Sequence, residues 1–464
     1  MIVVLIVIQL YTIIHNNIGG YLNKMAIEQY FFNCKRRTIL LLIFLLILTF
    51  LQDSYCMLQN FDDAKTELRT ALGQSSDGPM SVITVARTPN TTDSTVLISH
   101  DEFEQVLRLL YPLCSGISAP TYSQFANSRR IPFWSSLPLV DRVRNFFHHT
   151  TLLNDDPSTL ATTWPEDIAQ VSNMCKDFKS LYDIHLKNSC NIIIFNEMFF
   201  SQVAPLTIEQ KDFIRDKIFD LSKYSRHSLF YPNFLYIENR EVTGTAIRNS
   251  FNTMVRNESS GIMDISYDLW CIDSCEQKTI INRGIIDTTT YNQDFLINET
   301  LGINDGTIVT KYKKSSYWNE SNDSIRNGCL YEFGTGLDVG VDGSPDLCNA
   351  MLNNISIDIC FDLACGIRAN SNHWTNLGHP SRLHIVQSNS VDPFCDIPPN
   401  DNINRLPVDV PILYCDSYLD YHRNGLLYCQ SNMGMREIGG NVASYRLYEI
   451  KIGDSVYTIG IYMR

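Results

Sequence analysis

The strongest constraint on the fold of this chain is a unit that occurs twice: a capped amphipathic helix is followed by a short strand. Thr163-Trp-Pro-Glu166 has the form of a capping box, and behind it Ile168, Val171, Cys175, Phe178 and Leu181 recur at helical spacing. That segment leads directly into CNIIIFNEMFF, where Ile192 to Phe195 is an uninterrupted apolar run, the signature of a strand buried on both faces. Thr207 to Gln210 opens a second unit, with Phe213, Ile214, Ile218 and Leu221 on one face and NFLYIEN from Asn233 as the next strand. A helix and a buried strand in alternation predict an α/β layered protein.

Other segments add strands. SVITVARTP, Ser81 to Pro89, is β-branched and short, and predicts the first strand. FLINETLGI and TIVTKYKKSSYW flank Asn304-Asp305-Gly306, a hairpin signal, because Asp-Gly tolerates the positive φ of a tight turn. ISIDICFDL and RLHIVQSNS read as buried strands, and SYRLYEIKIGDSVYTIGIYM as two strands around a Gly-Asp-Ser turn. Residues 57–79 are polar and weakly patterned and read as a linker. Residues 92–163 read as an inserted segment within a domain spanning 80–464, helical around HDEFEQVLRLLYPL.

The N-terminus is of another kind. Ile39 to Leu51 is an almost wholly apolar run of 13 residues behind Lys35, Arg36 and Arg37. A spanning helix needs about 20 apolar residues, so this pattern predicts a signal peptide or a membrane anchor within residues 1–56. Ser54 and Cys56 would serve as small residues of a cleavage site, and Met25 as an alternative start. Uncleaved, the basic cluster stays cytoplasmic, and in either case the body is exported, either secreted or held on the extracellular side of a membrane. The 14 cysteines suit an oxidising compartment and predict disulfides. Sequons stand at Asn90, Asn257, Asn298, Asn319, Asn322 and Asn354; they point to a glycoprotein, although an Asn-rich chain also forms such triplets by chance.

The 50 acidic residues exceed the 37 basic ones, for a net charge of -13. That leaves no surplus to neutralise phosphates, which argues against a nucleic-acid partner and suits a small-molecule one.

Chemistry at a cysteine needs a thiolate, a base, and a group that holds the oxyanion formed on attack. Composition alone makes both Cys360 and Cys365 in ISIDICFDLACGIR candidate disulfide halves. Glu197 ends the strand IIIF and Lys314 ends TIVTKYKK. In order and strand context, IIIFNEMFF, DGTIVTKYKKSSYW and ISIDICFDL resemble the three signature segments of the nitrilase, or carbon-nitrogen hydrolase, superfamily, with the vanin and biotinidase branch the nearest in flavour. The resemblance implies a four-layer α-β-β-α sandwich and a catalytic triad of Glu197, Lys314 and Cys360. It also implies a second carboxylate orienting the lysine, for which Glu320 and Glu332 compete. The implied activity is hydrolysis of a non-peptide C–N bond in a small amide, without metal or organic cofactor, and a homodimer follows by family analogy only.

This chain departs from the family at Asn196, where proline is common, at Ser316, where histidine is common, and in the ACGIRAN that follows FDL. Cys365 reads as structural. Cys271 and Cys275 read as disulfide partners rather than metal ligands, and His148, His149, His373 and His379 as ordinary structural histidines. The rival reading is a non-catalytic, disulfide-bonded ectodomain that binds a partner.

Overall fold

The computed structural model describes residues 61–89, 97–119, 165–201, 204–259, 263–264, 285–318, 320–321, 324–325, 328–335, 337–339, 355–364, 382–389, 411–417, 425–430, 434–437, 446–453 and 455–463. The signal or anchor segment, the expected capping box at Thr163, Cys271, Cys275, Cys365 and the four histidines named above lie outside them. So do the sequons at Asn90, Asn319, Asn322 and Asn354. No helix among the described residues is long and apolar enough to cross a membrane.

The strands are β1 (Met80–Pro89), β2 (Cys190–Phe195), β3 (Ser228–Tyr231), β4 (Asn233–Thr243), β5 (Met263–Asp264), β6 (Thr290–Asn304), β7 (Thr307–Lys313), β8 (Tyr317–Trp318), β9 (Leu330–Tyr331) and β10 (Leu337–Val339). They continue with β11 (Ile355–Ile359), β12 (Leu383–Ser388), β13 (Pro411–Asp416), β14 (Gly425–Gln430), β15 (Gly434–Glu437), β16 (Arg446–Ile452) and β17 (Ser455–Met463). The helices are α1 (61–71), α2 (His100–Ser115), α3 (Pro165–Leu181), α4 (Ile208–Lys223), α5 (Gly244–Ser259) and the short α6 (Phe361–Ala364).

A large mixed sheet runs in the order β10-β7-β6-β3-β2-β1-β17-β16, with β4 and β9 also pairing with β6, and a smaller one runs β11-β12-β13-β14-β15. In the large sheet β1, β2 and β3 are parallel, β6 is antiparallel to β3, and β7 is antiparallel to β6. β7 therefore runs in the same direction as β2, and the residues that follow each strand emerge at the same end of the sheet.

Alternation along β2 sends its side chains to opposite faces. Ile193 and Phe195 join Ile83, Val85, Phe103, Leu107, Phe178 and Phe213 in the core beneath the helices. Ile192 and Ile194 are equally buried on the opposite face, and β13 and β14 of the second sheet lie against β1 and β17. The apolar run IIIF is thus explained by burial on two sides. The result is a mixed α/β protein with helices packed on a central sheet.

Local signals behave as their chemistry requires. Thr207 and Gln210 form a reciprocal capping box at the start of α4, as Ser99 and Glu102 do for α2. Asp305 and Gly306 take φ of 45° and 75°, the left-handed pair a two-residue hairpin needs, and Asn304 pairs with Thr307 across it. Within the stretch expected as an insertion, α2 is a core helix that buries Phe103, Val106, Leu107 and Leu110.

The stretch read as a linker carries α1 instead, with Phe61, Ala64, Leu68 and Leu72 buried. Arg69 fastens it by donating to the carbonyls of Ser75, Pro79 and Asn188. Its i, i+3, i+4 apolar spacing is diluted by charged neighbours, which accounts for the weak pattern.

Candidate active site

Glu197 lies two residues past the end of β2, Lys314 directly past β7, and Cys360 directly past β11. The first two come from the same end of the large sheet and the third from the second sheet. All three are buried, with Cys360 at 5% exposure. Cys360 takes φ 47°, so the chain turns sharply from β11 into α6 at this residue. A non-glycine residue held in the left-handed region is strained, and such strain concentrates at functional sites.

The Lys314 ammonium donates to Glu197 Oε1 at 2.8 Å and to Glu320 Oε1 on its other side. Glu320, at 2% exposure, accepts from the Trp318 backbone N–H through its second oxygen at 2.7 Å. Of Glu320 and Glu332, it is Glu320 whose carboxylate meets Lys314. Glu332 forms its ion pairs with Lys313 at 2.8 Å and with Arg240, nearer the surface, whereas those of Lys314 are with Glu197 and Glu320.

Glu197 is held on several sides. Its Oε1 also accepts from the Asn298 side-chain amide at 2.9 Å, and the Cys360 thiol lies close enough that each of the two groups shifts the other's titration. Asn298 is oriented in turn by Asn233, whose Nδ2 donates to Asn298 Oδ1 at 2.9 Å and whose Oδ1 accepts from the Met198 N–H at 2.7 Å. Asn196, at the position where the family commonly has proline, braces the same turn: its Oδ1 accepts from the Arg87 N–H and its Nδ2 donates to the Glu197 carbonyl.

Burial dominates the electrostatics. It raises the Glu197 carboxyl above its ordinary range; the Lys314 ammonium opposes the shift and the Glu320 charge adds to it. Burial also pushes the Cys360 thiol well up, with Glu197 pushing the same way and Lys314 pulling back. Burial of Lys314 disfavours its ammonium, but Glu197 and Glu320, then Cys360 and Asp362, outweigh that effect and keep it charged. Burial thus favours the neutral thiol of Cys360 and raises the basicity of Glu197, which pairs with a cation held charged between two carboxyls. Such an arrangement can take a proton from sulfur and hold negative charge that develops nearby.

Three contributors were not legible as such in the sequence. Asn298 registers there only as a sequon, yet it is fully buried with its amide committed to Glu197, so it has no room for a glycan. Asp362, in α6, accepts from the Ser315 N–H and Ser316 Oγ and from the Tyr312 hydroxyl. Gln387 in β12 bridges the two sheets. Ser316, where the family commonly has histidine, is thus engaged with Asp362.

The six cysteines whose side chains are described, Cys114, Cys175, Cys190, Cys329, Cys360 and Cys415, are free thiols. Among the described residues no cluster of His, Cys, Asp or Glu is arranged to hold a metal. Comparison with models of known protein families yields no match. Comparison with curated proteins yields none either.

Proposed function

We propose that the chain is a carbon-nitrogen hydrolase of the nitrilase type, an exported amidase that cleaves a non-peptide C–N bond of a small molecule through a Cys360 thioester. The observation that carries this reading is Lys314, buried between Glu197 and Glu320 at the end of one sheet, with the free, buried Cys360 thiol brought beside Glu197 from the other. A free Cys360 weighs against the rival reading of a fully disulfide-bonded binding ectodomain. Helices packed on a large sheet, with a second sheet on its other face, are three of the layers that the family's α-β-β-α sandwich would require.

In this reading Glu197 takes the proton of Cys360 as sulfur attacks the amide carbonyl carbon. The new C–S bond forms as the carbonyl electrons move to oxygen. Lys314 and the Phe361 backbone N–H stabilise the oxyanion, and losing one such donor costs about 3 kcal/mol of barrier. The oxyanion collapses, Glu197 passes its proton to the departing amine, and a thioester remains on Cys360. Glu197 then draws a proton from water, which attacks the thioester, and the collapse releases the carboxylic acid and restores the thiol.

Trp318, 46% exposed, packs against Phe361 with ring centroids 4.5 Å apart and the ring planes tilted by 45°, beside the nucleophile, a surface suited to an apolar portion of the amide. Glycosylation, disulfides outside the described residues and pairing into homodimers belong to the same proposal. The test is a panel of pantetheine, biotinyl-amide and simple acyl-amide substrates against the wild type and Cys360→Ala. Turnover of one class that vanishes in the variant supports the reading; no turnover of any class, or turnover that persists without Cys360, contradicts it.

A further inference from the structure

The proposed nucleophile and its base are carried by different sheets. Glu197 and Lys314 are fixed to each other through the large sheet, so their pairing survives any small sliding of the second sheet. Cys360 has no such security: its distance from both depends on how the two sheets are locked at their strand ends.

Beside a backbone bond from the Glu197 N–H to the Ser388 carbonyl at 3.3 Å, two buried side chains build that lock, one on each side of Cys360. Gln387 receives the Cys360 N–H on its own carbonyl at 2.8 Å. Its side-chain amide donates to the Phe195 carbonyl at 2.8 Å and the Tyr231 carbonyl at 2.7 Å, the terminal residues of β2 and β3, and its Oε1 accepts from Thr300 of β6. One residue of the second sheet thus binds three strands of the first and the backbone of Cys360. Phe195 lies two residues before Glu197. On the other side Asp362, two residues past Cys360, accepts from Tyr312, Ser315 and Ser316, which bracket Lys314 in the chain. Both clamps are fully buried, so their hydrogen bonds are made at low dielectric and have no competing water.

We propose that Asp362 and Gln387 are positioning residues that set the register of Cys360 against Glu197 and Lys314. This inference rests on the hydrolase reading, and it adds a division of labour: the large sheet builds the charged pair, and the two clamps bring the thiol to it. Loosening a clamp would leave the Glu197–Lys314 pair intact and move sulfur away from its base. A misplacement of about 1 Å in such a geometry costs on the order of a hundred-fold in rate.

The test uses iodoacetamide on the full chain, with alkylation followed peptide by peptide, in the wild type, Asp362→Asn, Ser316→Ala and Thr300→Val. Buried free Cys114 and Cys190 report on general opening of the fold. The expected result is that Asp362→Asn slows Cys360 alkylation about ten-fold or more while Cys114 and Cys190 stay as protected as in the wild type. Ser316→Ala removes one bond to Asp362, and Thr300→Val removes the bond to Gln387 together with an acceptor for the Asn233 amide; each is expected to slow Cys360 about three-fold. They carry the test if Asp362→Asn does not fold.

Unchanged Cys360 alkylation in the folded variants overturns the proposal. So does faster alkylation of Cys360 together with Cys114 and Cys190, which is what a merely structural role predicts. If wild-type Cys360 reacts no faster than Cys114 and Cys190, the hydrolase reading itself fails and the clamps with it.

Discussion

The side-chain amide of Asn298 donates to Glu197 Oε1 at 2.9 Å from the interior of a strand, and the same oxygen accepts from Lys314 at 2.8 Å. A neutral donor and a cation thus converge on one carboxylate oxygen, which fixes the rotamer of the proposed base. Because Asn298 is fully buried, Asn298-Glu299-Thr300 is a sequon in letters only. Glycopeptide mapping of the protein from a secreting host is expected to find Asn298 unmodified, and a glycan there would contradict the structure. Asn298→Ala is expected to slow Cys360 alkylation about ten-fold, in line with the loss of one buried hydrogen bond to a charged group.

Glu320 and Glu332 separate cleanly in their expected effects. Glu320→Gln removes one of the two carboxylates on a buried ammonium and is expected to cost about 3 kcal/mol of stability in urea denaturation, with slower Cys360 alkylation. Glu332 meets Lys313 and Arg240, all about a quarter to a third exposed, so Glu332→Gln is expected to cost under about 1 kcal/mol and to leave alkylation unchanged. The reverse ranking would return the place of second carboxylate to Glu332.

Asp362 makes a pH prediction. Burial, then the Asp358 charge, pushes its carboxyl up to about 6, against an ordinary 3.8, with Lys314 and the Ser316 and Tyr312 hydroxyls opposing. A carboxyl raised on folding favours the folded state while protonated, and that contribution is lost as pH rises from about 4 through about 6. The shift of about two units corresponds to roughly 3 kcal/mol. Urea denaturation at pH 4.5 and 7.5 is expected to show wild-type stability falling relative to Asp362→Asn as pH rises. A difference that stays flat between the two pH values would contradict the assignment.

The reciprocal capping box of α4 supplies a check on the fold alone. Thr207→Ala removes the acceptor for the Gln210 N–H and is expected to cost about 1 kcal/mol, measured by urea denaturation, without altering Cys360 alkylation.

What the sequence shows plainly is what local chemistry controls. IIIF in β2, the capping box at Thr207 and the left-handed pair Asp305-Gly306 each follow from propensity, periodicity or sterics acting over a few residues, and their order places Glu197 and Lys314 at strand ends. α1 was obscured because Lys65, Glu67 and Arg69 interrupt its apolar face, and β13 because PILYCD opens on proline. The roles of Gln387, Asp362 and Asn298 were illegible for another reason. Each depends on partners from 46 to 192 residues away, brought near by the pairing of strands or the meeting of two sheets, and no local pattern encodes that. Glu320 over Glu332 is a choice of the same kind, since both lie within 18 residues of Lys314 and only the path of the chain after β8 separates them.

The most direct test of the central claim is peptide-resolved iodoacetamide alkylation of the native, unreduced chain, comparing the wild type with Glu197→Gln. The account predicts that Cys360 is free, is alkylated faster than Cys114, Cys190 and Cys415, and slows at least about ten-fold when Glu197 can no longer accept its proton. Cys360 found in a disulfide, or alkylated at the same rate in both proteins, would contradict it.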